Sequence, residues 1–288
     1  LASLVLASDG ADGHVAFAGG HDDVVLAYGI SSACAVASVY SHRDAVTGLD
    51  LINRTPFDSE SVLWPDKATH IMVSGSWDAT VKVWSATVAA GETVTIQREP
   101  LAELFDADSG IVCTSSLSVP TGGIVIAAGC ADGSFCVWEV HSDGVQVVLH
   151  NEAAKRGSGP CSVVQWIAEG GNLHLFAAFS TGKVASYTLM DGKLQRVAAV
   201  SVGVAILSMK YSNGVLLVGC SDGGLRLIPV RPGSSFGSKP TLWAAVNHKG
   251  SPGISCISVT YTADGNRKIC CTGGEDGSIL VFELTRAS

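Results

Sequence analysis

Catalysis and metal binding demand particular side chains at particular spacings, and few such patterns occur in this sequence. The eight histidines stand at 14, 21, 42, 70, 141, 150, 174 and 248, with no HExxH pair and no metal-ligand spacing. The nine cysteines form no Cys-x-x-Cys pair. Several of them (Cys34, Cys113, Cys136, Cys220) lie inside apolar runs, which fits buried, reduced thiols of a cytosolic protein. Cys270 and Cys271 alternate across a strand and so do not share a metal. The Gly-Lys pairs at 182–183 and 192–193 lack the Ser or Thr that a phosphate loop places after its Lys. Asp106 and Asp108 in "DADSG" match the start of a calcium loop, but no Glu follows at the needed spacing, and a polar turn between strands is the better reading. "NRT" at 53–55 matches a glycosylation acceptor, with Pro56 next, and reads as chance. The expectation is no catalytic residue, no metal and no cofactor.

The elements around these residues are short strands. Of 288 residues, 47% are apolar and only 15% charged, the balance of a chain that buries a core. Thirty-three glycines fall between short apolar runs, as tight turns between many strands require. The net charge of −8 offers no clustered basic face for nucleic acid. The adjacent basic pairs, Lys155-Arg156 and Arg267-Lys268, read as solvated loops rather than lipid sites. No apolar run reaches the ~20 residues of a membrane-spanning helix, so any membrane association is expected to be indirect.

One unit recurs. In "SGSWDATVKVWS" a turn Asp (Asp78) precedes a strand residue (Trp84) by six positions. The same spacing joins Asp22 to Tyr28, Asp132 to Trp138, Thr181 to Tyr187, Asp222 to Ile228 and Asp276 to Phe282. Each copy reads as a small apolar strand, a tight turn and an alternating strand, with room for two further strands in the interval. Four short strands per unit of about 40–50 residues predict an all-β propeller of six recognisable four-stranded blades. The small apolar strands are expected to be the inner ones, packed around an axis, which leaves no convergent polar groups for catalysis in a channel. "LASLVLAS" reads as the inner strand of the first blade and "SILVFEL" as the third strand of the last. The missing outer strand, or a whole seventh blade, is expected from sequence upstream of residue 1.

"VSGSWDATVKVWS", "AAGCADGSFCVWE" and "CTGGEDGSILVFE" resemble WD40 repeats. That resemblance implies a buried structural tetrad in blade two: His42, Ser74, Asp78 and Trp84. A buried indole N–H needs an acceptor, a Ser hydroxyl can take it and pass a bond to imidazole, and Asp78 then orients the ring. Blade six has His248, Thr272 and Asp276 as a partial tetrad, with Phe282 where the Trp would stand. Blade three keeps Asp132 and Trp138 but has Ala128 at the Ser position. "SHRDAV", "SGSWDATVKVWS" and "PLAEL" together, with "GGHDDVVLAY" before and "TGGEDGSILVFEL" after, resemble the C-terminal propeller of BEACH-domain proteins. The resemblance spans roughly residues 14 to 284 and is most specific over 42–104. It implies upstream PH-like and BEACH domains and a scaffold role in membrane trafficking or signalling.

A partner surface is expected where a turn shows a large residue that the fold does not need. The residues before the turn positions are His21, Trp77, Ala131, Ser180, Ser221 and Glu275. Trp77 stands out, because Trp and Arg dominate interface hot spots. His21, Arg43 and Trp77 are expected to form one patch, with Glu275 across the axis; the competing reading is that Trp77 only covers its own blade. The segments 53–70 (with Trp64), 151–160 and 231–240 read as long polar insertions. The function expected is a non-catalytic, cytoplasmic protein-binding scaffold, peripheral to endomembranes, with its own upstream BEACH domain among the candidate partners. The alternatives are an unrelated WD40 adaptor of coat or ubiquitin-ligase type, an enzyme with a channel site, and a lipid-binding propeller.

Overall fold

The structure, a computed structural model, describes residues 3–8, 13–40, 42–54, 68–119, 122–149, 159–231, 233–237, 239–245, 253–261 and 268–284. All regular structure among them is β, and it falls into two units, Leu1–Ala154 and Lys155–Ser288. Trp64 and His248 lie outside the described residues, as does most of 151–160.

The first unit holds three antiparallel sheets. Blade one runs β1 (Ser3–Ser8), β2 (His14–Gly19), β3 (Val24–Gly29) and β4 (Cys34–Tyr40) in sequence order. Blade two runs β5 (Val46–Asn53), β6 (His70–Ser76) and β7 (Val81–Ala89). Its outer position is shared by β8 (Thr93–Ile96) and β9 (Ala102–Leu104), which pair with opposite halves of β7. Blade three is β10 (Ile111–Ser118), β11 (Ile124–Cys130), β12 (Phe135–His141) and β13 (Gly144–Leu149).

The second unit repeats the plan. Blade four is β14 (Cys161–Glu169), β15 (Asn172–Phe179), β16 (Lys183–Met190) and β17 (Lys193–Ser201). Blade five is β18 (Ile206–Ser212), β19 (Val215–Cys220) and β20 (Gly224–Arg231), edged by β21 (Ser235–Phe236) and β22 (Thr241–Ala245). Blade six shows β23 (Ile254–Tyr261), β24 (Lys268–Gly274) and β25 (Ile279–Leu284), three strands among the described residues. These six meandering sheets are the blades of a β-propeller fold.

Within each unit the first strands of successive blades gather: β5 packs on β1 and β10, and β18 on β14 and β23. The strands nearest the neighbouring blades' first strands are therefore β5, β10, β14 and β18, not the small apolar ones, which are second in each sheet. The sequence expectation that the apolar strands line an axis is thus corrected. The first strands carry polar groups that tie blade to blade. Asp50 Oδ2 accepts the Ser116 N–H at 2.5 Å, and Gln165 Oε1 accepts the Tyr211 N–H at 2.8 Å, at the same register in two blade pairs.

The second strands are small for a different reason. Three residues before each turn position stands Gly19, Gly75, Gly129, Ala178, Gly219 or Gly273. A β-carbon on Gly75 would lie 2.6 Å from Ile111 Cγ2, one on Gly19 2.7 Å from Val46 Cγ1, and one on Gly219 2.7 Å from Ile254 Cγ2. In these three pairs the next blade drives a β-branched residue onto a bare backbone, and apolar clusters adjoin those contacts. Val25, Ala27 and Phe17 of blade one meet Met72 and Trp84 of blade two; Val73, Val81 and Val83 meet Ile126 and Trp138 of blade three. Phe176 and Val184 of blade four meet Leu216 and Ile228 of blade five, and Leu217 and Leu225 meet Ile254 and Cys270 of blade six.

The turn between the second and third strands repeats as closely. The residue after the turn position has positive φ in every blade: Asp23 (59°), Ala79 (66°), Gly133 (88°), Gly182 (83°), Gly223 (73°) and Gly277 (75°). Gly fills four of the six because it adopts that region without steric cost.

At the outer edge Glu92, in the turn between β7 and β8, accepts the backbone N–H of Ser31 (2.6 Å) and Ser32 (2.9 Å) in blade one. The Ser31 backbone bond, with further bonds from Ser32, pulls its carboxyl down to about 2. The segment 231–240 is not simply a loop: β21 pairs with β20, and Phe236 lies 6.3 Å from the Phe176 ring. Nine free cysteines include buried Cys136 and Cys220, but Cys34 opens the outer strand β4 and is exposed, against the expectation of burial.

Gly75→Val is expected to destabilise by about 1–3 kcal/mol, the cost of overpacking, read as a fall in denaturation midpoint. Gly182→Ala is expected to cost more than Gly277→Ala. Both carry left-handed backbone strain, but a β-carbon at 182 also meets the Val204 carbonyl oxygen at 2.5 Å, whereas among the described residues nothing lies within 4 Å of one at 277.

Candidate functional site

The turn at Asp78 and the strap leading into β5 form the densest polar cluster in blade two. The pleat places Ser74 and Trp84 on the same face, because Ser74 pairs with Lys82 and Met72 with Trp84. Trp84 Nε1–H donates to Ser74 Oγ at 2.8 Å. Ser74 Oγ is also 2.8 Å from His42 Nε2, and His42 Nδ1 lies 3.2 Å from Asp78 Oδ2. Trp84 and Ser74 are fully buried, and His42 nearly so.

The bond directions follow from the donors available. The Asp78 carboxylate can only accept, so His42 Nδ1 carries the hydrogen; with burial keeping the ring neutral, Nε2 is bare and accepts the Ser74 hydroxyl. Burial holds the His42 pKa below its ordinary value, against the opposing pull of Asp78, so the contact is a hydrogen bond rather than an ion pair.

Asp78 does more than orient the ring. Oδ2 also accepts the Arg43 N–H at 2.8 Å; Oδ1 accepts the Thr80 N–H at 2.9 Å and the Thr80 hydroxyl at 2.6 Å. Burial works against its charged form, but the Thr80 hydroxyl and the Arg43 and Thr80 amides outweigh it and hold its carboxyl below the usual range. Thr80 is a fifth member that sequence reasoning missed. Its signal was present: Asp-x-Ser/Thr recurs as Asp132–Ser134 and Asp276–Ser278, and both hydroxyls close the same turn at 2.6 and 2.7 Å.

Blade three solves the buried indole differently. Ala128 stands at the Ser register, and Trp138 Nε1–H reaches Asp106 Oδ2 directly at 2.7 Å. Asp106, read from sequence as part of a polar turn, is in the strap before β10, the place His42 holds before β5. Ala128 leaves the space that lets the carboxylate approach. In blade six Thr272 is fully buried, its hydroxyl has no partner among the described residues, and Phe282 at the Trp register has no N–H to give. Asp276 closes its turn onto Ser278.

The rim candidates divide by unit. In the first, Trp77 N–H bonds the Ala45 carbonyl at 2.9 Å, its ring lies on Gly110 of the strap before β10, and its side chain remains 49% exposed. It therefore both covers the neighbouring strap and presents a face to solvent. Arg43 is exposed and held beside it through Asp78. Exposed His21 follows Gly20, whose carbonyl accepts the Val46 N–H at 2.8 Å, next to Ala45. His21, Arg43 and Trp77 thus share one end of blades one and two. In the second unit Glu275 is exposed, but its carboxylate accepts the Gly253 N–H at 3.2 Å and so turns toward its own strap.

Among the described residues no group of His, Cys, Asp and Glu is placed to hold a metal. A Gly-x-Ser-x-Gly string does occur at 233–237, but its Ser235 sits in the two-residue strand β21, paired with Arg231, and not on the strand-to-helix turn that exposes a nucleophile.

His42→Ala is expected to lower stability by about 1–3 kcal/mol, since it strands the Ser74 hydroxyl and uncaps Asp78; an unchanged melting temperature would refute a structural role for the tetrad. A pH effect follows from three imidazoles. Burial lowers the pKa of His42, His70 and His174 below 6.5. The unfolded chain then binds protons that the folded chain resists, so stability is full above about 6.5 and falls as pH drops toward the folded values. The melting temperature is expected to decrease between about pH 7.5 and about pH 5.5, and less so in a His42→Gln variant.

Residues 34–85, which span β4 to the start of β7 and hold the whole tetrad, match the family model described as WD domain, G-beta repeat. The structure of U3-55K is similar to this chain at 19% identity, with a TM-score of 0.57, over 90% of this chain and 70% of that one. The crystal structure of the RRP9 WD40 repeats is similar at 19% identity, with a TM-score of 0.56, over 90% and 69%. At that identity the likeness shows the β-propeller fold alone, and the family model matches the single repeat over residues 34–85.

Proposed function

We propose that this chain is a non-catalytic scaffold that binds a protein partner through the Trp77–Arg43 rim of blade two. The observation that carries this reading is Trp77 itself. Its backbone is fixed by the Ala45 carbonyl and its ring is seated on Gly110, yet half its surface stays open. A rigid aromatic beside a flexible guanidinium is the composition of an interface anchor, and its ordering cost is already met by the fold. The WD-repeat match over residues 34–85 supports the reading by analogy of fold, since propellers of this type generally bind proteins, while the site itself must carry the function. His21 extends the patch across blade one.

The motif resemblance over residues 42–104 carries the proposal further, to a BEACH-family scaffold in membrane trafficking or signalling, cytoplasmic and peripheral to endomembranes. Its own upstream domains are then candidate partners.

Affinity capture with the wild-type chain and with a Trp77→Ala, Arg43→Glu variant of matched melting temperature tests the site. Loss of the captured protein, with at least about a tenfold weaker Kd for the variant, is expected for two anchor residues. Equal capture by both overturns the assignment of the rim.

A further inference from the structure

The strap between β9 and β10 has an aromatic at each end. Trp77 lies on Gly110 at its inner end, and Phe105, 64% exposed, opens it at the outer end. Leu104, the residue before, pairs with Val81 and is buried in the cluster shared by blades two and three; Phe105 stands outside that cluster. Blade two packs on blade one through one face and on blade three through the other, so Phe105 is open although both neighbours are in place. The chain from Phe105 to Gly110 can span at most about 18 Å, which brings both aromatics within reach of one short segment of a partner.

The floor between them is the Asp78 turn. Glu103 lies close enough to His42 to act on its ring, so the end of β9 comes down beside the first strap, 42–45. There Asp78 accepts the Arg43 and Thr80 amides. The surface thus runs from Trp77, across the Asp78 turn and Arg43, to Phe105, inside the first unit.

Its charge is one-sided. Among the described residues exposed at this end of blades one to three, the acids are Asp22, Asp44, Asp108 and Asp132, and the base is Arg43. Backbone contacts place them around Trp77. Asp44 precedes Ala45, whose carbonyl takes the Trp77 N–H, and Asp132 follows Ala131, whose N–H bonds the Gly110 carbonyl. Asp108 is two residues before Gly110, and Asp22 two after Gly20, whose carbonyl takes the Val46 N–H. Lys82 and Glu103 offset each other as an ion pair at 2.9 Å. Beneath the surface His42 is neutral while Asp78 stays ionised, so the tetrad adds negative charge.

We propose that this surface takes a basic segment of a partner protein, with one apolar side chain on Trp77, a second on Phe105, and Lys or Arg side chains toward Asp44 and Asp108. The inference rests on the rim reading above and adds to it a second anchor and the partner's charge. Two aromatic seats fix the direction of the segment, and the acids around them select it by sign and speed its encounter. Arg43, set among acids, is left for a carbonyl or carboxylate of the same segment.

The probe is a displayed library of random peptides of about 12 residues, long enough to span both seats, selected on the immobilised full chain. Selected peptides are expected to be net basic and to carry two apolar side chains. Their synthetic forms are titrated by fluorescence anisotropy against wild type, Phe105→Ala, a paired Asp44→Asn, Asp108→Asn variant, and Trp77→Ala, each of matched melting temperature. Phe105→Ala is expected to weaken the Kd by about tenfold. The Asn pair is expected to flatten the loss of affinity between about 50 and about 300 mM salt. Peptides without an excess of basic residues, wild-type binding by Phe105→Ala, or an unaltered salt response in the Asn pair each overturn the inference; loss of binding on Trp77→Ala then still upholds the rim itself. Peptides that bind Trp77→Ala as tightly as wild type overturn both readings. A selection that yields no binder overturns the basic-segment inference and leaves the rim to the capture experiment.

Discussion

The seating of Val46 on Gly19, Ile111 on Gly75 and Ile254 on Gly219 sets how closely neighbouring blades approach. A single four-stranded sheet has two apolar faces and can bury neither alone. Within each unit a blade therefore shares its core with its neighbour, and at Gly19, Gly75 and Gly219 the missing β-carbon is what lets a β-branched side chain reach the backbone between them. With that contact made, Val25 and Ala27, Val81 and Val83, Val184, and Leu225, at the turn-plus-three and turn-plus-five positions, are buried in the cluster shared with the following blade. The apolar alternation of the third strand, the smallness of the second and the β-branched start of the first are consequences of one packing arrangement. Asp50 to Ser116 and Gln165 to Tyr211 then fix the register that packing alone would leave free to slide.

The buried indole of the third strand poses a second problem, with more than one solution. In blade two the N–H is satisfied through Ser74 and His42 to Asp78, a chain that joins the strap, the second strand, the turn and the third strand. Blade three shortens it to one charge-assisted bond from Trp138 to Asp106. Blades four, five and six place Tyr187, Ile228 and Phe282 at the same register. Ile228 and Phe282 have no polar hydrogen to satisfy. The polar network is thus one means among several of holding a blade. Blade two, with the fullest version, also supports the half-open Trp77.

Sequence spacing disclosed the six turns and the alternation behind them, because a turn residue six positions before a bulky strand residue survives every substitution that keeps the pleat. The composition of the tetrad came with the resemblance to WD40 repeats and not from the spacing. What stayed hidden depends on contacts between blades. Asp106 reads as one more turn aspartate until Ala128, on a strand far along the sequence, is seen to leave room for it. The place of the second strands was misread because smallness suggests crowding at an axis, whereas at Gly19, Gly75 and Gly219 it marks the seat of the next blade's β-branched residue. Ser235–Phe236 looked like loop because Gly and Ser surround it, but Phe236 has the Phe176 ring to pack against.

The rim is where the fold leaves freedom. The residue before the turn position donates its N–H to the carbonyl just ahead of its own first strand in five blades: Trp77 to Ala45, Ala131 to Gly110, Ser180 to Pro160, Ser221 to Ala205 and Glu275 to Gly253. That bond uses only the backbone, so the side chain is positioned but not chosen. Trp, Ala, Ser and Glu all occur there in a frame that does not change. A scaffold that must present a particular surface needs this combination, because side chains held on a rigid backbone bind without first being ordered. The same backbone bond that leaves Ala131 inconspicuous keeps the Trp77 indole half open beside Arg43, and this sets the rim of blade two apart from its equivalents.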